Sequence, residues 1–133
     1  MNWTLIVAST ACIAFVAAVI DFALMGMVFH RYQRTTPDLW RPLSPAAYGL
    51  NAVLSLGFGF AYSVIFYLAF VLTPRDVPSA LGMGGFMWAS FPLLIHLGTA
   101  NRVRIDRRYV AGRLLSTLTV YLASALVARA ILF

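Results

Sequence analysis

The chain has no lysine and no glutamate, one cysteine, two histidines and very little charge of either sign. Each shortage excludes something. With Cys12 alone, no intrachain disulfide and no CxxC redox or metal motif can form. Two histidines and one distant cysteine fall short of the three or four ligands that zinc sites use. Charged residues make up 11% of the 133 residues, against roughly 25% in a soluble domain. Such a chain cannot clothe a water-facing surface, so its surface faces lipid. There is no G-x-S-x-G, no HExxH and no P-loop, so the sequence carries no catalytic signature and leans away from an enzyme.

What is present is hydrophobic sequence, 62% of the chain, punctuated by arginine. The formal charge of +6 comes entirely from ten arginines set against four aspartates. They flank apolar runs, which assigns them to lipid headgroups and not to nucleic acid. The key stretch is residues 80–113. Its first 19 residues are uncharged, about the thickness of a bilayer core at 1.5 Å per residue. Five arginines and one acid, Asp106, follow.

Four spans are predicted, at 3–29, 46–73, 80–98 and 111–133, making one all-α integral membrane four-helix bundle over residues 1–133. The opening MNWTLIVAST lacks a basic region and reads as a retained helix, not a signal peptide. Trp3 and Trp40 suit the interfaces, and Pro37, Pro42 and Pro45 keep the first loop extended. The loops after the first and third spans carry three and four arginines, whereas the middle loop carries one. The positive-inside rule makes the two basic loops cytoplasmic and both termini extracytoplasmic. Arg31, Arg34, Arg102, Arg104, Arg107 and Arg108 are the expected headgroup contacts, and Arg129 is expected to snorkel outward.

Small residues mark packing faces: Thr10, Ala14, Ala17 and Ala18 in the first span, Ser55, Gly59 and Ser63 in the second, and Gly82, Gly84 and Gly85 in the third. Phe58, Phe60, Phe66, Tyr67 and Phe70 read as lipid-facing bulk, and Pro92 as a kink.

Helical rise puts Asp21 about 12 Å, Asn51 about 8 Å, Ser55 about 13 Å and His96 about 3 Å inside the cytoplasmic helix ends. With Arg113 and Thr117 they form an expected polar core or cavity open to the cytoplasm, while the outer half is mostly apolar. An acid inside a span is a functional candidate by default. Asp21 is expected either to pair with Arg113 or to stay neutral and hydrogen-bonded to Asn51, Ser55 or Thr117. His30 and His96 both fall at cytoplasmic helix ends, where a bis-histidine haem b is the alternative to no cofactor.

The run GGFMW, then LLIHLG, then Asn101 with its arginines, then a small-residue span containing Tyr121, together with the opening MNW, resembles a family of small four-helix bacterial membrane proteins of unknown function. The resemblance implies a multi-pass protein of a bacterial inner membrane and transfers no activity. Three functions fit the sequence. The first is a helical module assembling with itself or with a larger membrane complex. The second is a small proton-linked transporter using Asp21. The third is a membrane redox protein or enzyme acting on a lipophilic substrate through His30 and His96.

Overall fold

The computed structural model describes residues 2–33, 44–102 and 105–133. Among them there is no strand. The first span runs Trp3–Val28, as α1 (Trp3–Asp21) continued by a π-helical segment (Phe22–Val28), and a short α2 (His30–Gln33) follows. The second is α3 (Pro45–Phe70). The third runs Val77–Arg102, as α4 (Val77–Trp88), a π-helical segment (Ala89–Leu93) and α5 (Leu94–Arg102). The fourth is α6 (Arg107–Leu132). All four are long and apolar enough to cross a membrane. Trp40, Pro37, Pro42, Arg34 and Arg104 lie outside the described residues.

Hydropathy alone misjudges the boundaries of the third and fourth spans because capping chemistry sets them. Asp76 accepts a hydrogen bond from the backbone N–H of Ser79 at 2.7 Å, so the third helix starts at Val77 and not at residue 80. Hydrogen bonds from the Ser79 side chain and N–H hold the Asp76 carboxyl below its usual range, so it remains a charged cap. Asp106 caps Arg108 N–H in the same way, and α6 begins four residues before the apolar run. Ser44 caps α3, with Pro45 at the first helical position.

The spans alternate in direction. At one end Arg108 lies over the Tyr32 ring, which brings the flanks of both basic loops together. At the other end Arg75 lies over the Phe133 ring and Arg129 Nε donates to the Arg75 carbonyl at 3.1 Å. Arg129 thus ties down the middle loop instead of only reaching outward.

The core occupies the half of the molecule nearer the termini. Ile6, Ile13, Phe66, Phe70, Ala125 and Ala128 are fully buried there, and Tyr62 nearly so. The expectation of lipid-facing aromatics is therefore corrected for Phe66 and Phe70, whose rings lie 4.7 Å apart with Phe70 also meeting Phe133 edge-on, while Phe60 does face outward. Aromatic spacing alone cannot tell a lipid face from a bundle core, since both are apolar. This half is also less purely apolar than expected. Ser63 Oγ donates to Ser9 Oγ at 2.9 Å, and Tyr62 donates to the Tyr121 carbonyl at 2.8 Å.

Close helix approach rests on glycine. A Cβ at Gly59 would stand 2.5 Å from the Thr10 carbonyl oxygen of the first span. One at Gly84 would stand 2.9 Å from both Ala125 and the Tyr121 carbonyl of the fourth. Between helices in lipid, such van der Waals contact replaces the hydrophobic driving force. Gly59→Ala should therefore lower stability by about 1–3 kcal/mol through overpacking. Gly57→Ala, where a Cβ meets nothing within 4 Å, should leave it unchanged or raise it by about 0.5–1 kcal/mol through helix propensity. Denaturant titration of the two variants in detergent micelles measures the contrast.

Candidate functional site

The polar site forms where the first and fourth spans cross at matching depth. Asp21 is the last residue of α1, and Arg113 lies six residues into α6, about 9 Å from its start. Arg113 donates to Asp21 Oδ1 at 2.5 Å, forming an ion pair. Ser116 Oγ donates to the same oxygen at 3.1 Å. Ser116, one of the polar residues in the first turns of the fourth span, lies three residues beyond Arg113 and so shares its side of the helix. The Asp21 side chain is 45% exposed and that of Arg113 35%, so the pair is not sealed inside protein.

Thr117 is close by but has a different task. Its hydroxyl bonds back to the Arg113 and Leu114 carbonyls and accepts from Trp88 Nε1 at 3.1 Å. The third span is thereby fastened beside the ion pair. Both π-helical segments start at this level, one directly after Asp21 and the other directly after Trp88. The second contains Pro92, which has no N–H to give, so the extra residue of a π turn absorbs the proline that was expected to kink the helix.

His96 joins the site from the third span. A half-enclosed cavity of about 270 Å³ lies between His96, Thr99 and Ala100 on that span and Tyr109, Val110 and Arg113 on the fourth. Ile105 closes its loop side.

Two expected members are elsewhere. Asn51 is exposed and has no hydrogen-bond partner among the described residues, and Ser55 is half-buried and bonds to neither Asp21 nor Arg113. Correct depth did not bring them in, because α3 contributes no buried residue before Gly59. His30 is exposed and does not line the cavity that His96 lines. Among the described residues, no group of three or more His, Cys, Asp or Glu is placed to hold a metal ion. Arg31, Arg102, Arg107 and Arg108 are exposed near the same end of the molecule.

No family model, curated protein or solved structure matches this chain. The resemblance to small four-helix membrane proteins therefore remains one of layout.

A charge left alone at this depth is costly, and removing one partner of a buried pair costs about 3–5 kcal/mol. Half-exposure reduces that figure here, so Asp21→Ala should destabilise by about 2–3 kcal/mol. Combining it with Arg113→Leu should recover part of the loss, since no charge is then stranded. A double-mutant cycle read by denaturation in micelles checks this, and strictly additive losses would dismiss the pair as a stabilising unit.

Proposed function

We propose that the protein is a non-enzymatic membrane module that assembles with a second copy or with a larger membrane complex. The observation supporting this is Asn51, exposed and without a partner among the described residues, on an uncovered stretch of helix. No residue of α3 before Gly59 is buried, and none of Ala89–Leu93 or α5 is buried. Lipid can cover the leucines and valines of these segments. It cannot satisfy a carboxamide about 9 Å inside the helix end, whereas a facing helix can. The Asp21–Arg113 pair gives the acid a structural task, which favours assembly over a proton-linked carrier. A proton leak in proteoliposomes that disappears in Asp21→Asn would reverse that preference.

With Cys12 replaced by alanine, Asn51→Cys should be trapped as a dimer, or as an adduct with a partner, by cross-linking in native membranes. Asn51→Leu should weaken association by about 3- to 30-fold, the range for an interhelical polar contact of roughly 0.6–2 kcal/mol. A protein that is strictly monomeric in mild detergent and in lipid overturns the reading.

The same reading has the arginine-rich end facing the cytoplasm and both termini outside. The layout resemblance points to a bacterial inner membrane as the setting. The support is the gathering of both basic loop flanks at one end, which the positive-inside rule then orients. Reporter fusions to the middle loop, at residues 74–76, should register as extracytoplasmic, and fusions after Arg102 as cytoplasmic.

A further inference from the structure

We infer that the cavity between His96 and Arg113 is a binding site for a phosphate group, with the phosphate of an anionic lipid headgroup as its occupant. This goes beyond the assembly reading and does not depend on it.

The chemistry of the lining supports it. A guanidinium has five N–H donors, and the described structure gives Arg113 a side-chain partner for one of them, Asp21. The remaining donors belong to a side chain that is 35% exposed and borders an open cavity. His96 stands on the opposite wall with an imidazole N–H able to donate. Thr99 is not a donor here, because its hydroxyl is used on the Ile95 carbonyl. Planar forked donors fit phosphate oxygens bidentately, and arginine is the side chain best suited to that geometry.

Charge points the same way. Arg102, Arg107, Arg108 and Arg113 face two acids in this region, Asp21 and Asp106, leaving a surplus of two positive charges before any contribution from His96. Asp21 neutralises part of Arg113, and Asp106 is turned to the backbone of α6 as its cap. The surplus therefore lies on Arg102, Arg107 and Arg108, which are exposed near this end of the molecule.

Size and depth select a headgroup. At about 270 Å³ the cavity is smaller than the roughly 300–1,000 Å³ of whole small-molecule sites. It can take a phosphate with its neighbouring atoms but not a complete amphiphile. Ala100 and Val110 provide apolar wall beside the donors. Arg113 lies about 9 Å along α6 from Arg107, and His96 about 9 Å from Arg102, so the cavity sits at the border between headgroups and acyl chains. A phosphate entering from the leaflet would pass the level of Arg102 and Arg107, at the helix ends, before that of Arg113.

The test uses the whole chain, purified in mild detergent and offered equimolar phosphatidylglycerol and diacylglycerol, which has no phosphate, with the retained lipids read by native mass spectrometry. The expected result is a preference of about tenfold for phosphatidylglycerol, the scale of one charge-assisted hydrogen bond. Ala100→Trp, which fills the cavity and leaves every arginine in place, should abolish that preference. His96→Leu should reduce it several-fold. The double variant Arg107→Gln/Arg108→Gln should reduce it by less than Ala100→Trp does. A second arm adds inorganic phosphate alone and follows the thermal transition. If phosphate raises the transition in the wild type but not in Ala100→Trp, and no lipid preference exists, the occupant is a free anion and the lipid assignment is overturned. If the lipid preference survives Ala100→Trp and vanishes in Arg107→Gln/Arg108→Gln, general surface attraction explains it and the cavity site is overturned. If neither ligand has an effect, the proposal also fails.

Discussion

The ion pair between Asp21 and Arg113 sets the register of the two spans on which the rest of the molecule is hung. A carboxylate and a guanidinium at the border of the hydrocarbon are costly to leave apart, which favours a crossing where the helices that carry them meet at one level. With that crossing made, Phe29 packs where Gly112 offers no Cβ, and Ser116 completes the carboxylate's shell from the next turn. The second span joins the first through Gly59 and the Ser9–Ser63 hydroxyl pair. The third joins the fourth through Gly84 and the Trp88–Thr117 bond. Each added helix is thus held by a close backbone approach together with at least one polar contact. This is how association proceeds where lipid is as apolar as the side chains it would displace.

The two halves of the protein differ in how complete they are. Near the termini, aromatic rings from the second span interlock with the fourth, and Arg75 and Arg129 close the middle loop over Phe133. Toward the basic loops the second span and the end of the third carry no buried residue, and two π-helical segments interrupt regular helix. Irregular backbone inside a membrane is tolerated where protein or a cavity receives it. Here it coincides with the ion pair, the cavity and Asn51, which has no partner among the described residues. The open half is where the proposed partner and headgroup would have access, and the packed half is where the fold is secured.

Much of this was legible from residue types. Long uncharged runs can be satisfied in lipid only as helices, so four spans and their approximate limits follow from composition. Arginine asymmetry groups the first and third loops at one end. An acid inside a span needs a partner, so residue types narrowed the choices for Asp21 to Arg113 or a neutral hydrogen bond to Asn51, Ser55 or Thr117. Capping aspartates shifted the helix starts at Val77 and Arg107, because hydropathy does not register a single hydrogen bond at a helix end.

What only the tertiary structure decided was which groups at a given depth share a side and which helices stay together along their length. Asn51 has the right depth for the polar site and is nonetheless exposed, because α3 is engaged only from Gly59 onward. Phe66 and Phe70 look like lipid contacts in sequence and are core, because lipid and protein interior are equally apolar and periodicity cannot separate them. The cavity beside His96 arises from two helices that diverge past Trp88, and no local pattern encodes divergence. Depth is a one-dimensional quantity carried by the chain, whereas facing is a relation between helices and exists only once they have packed.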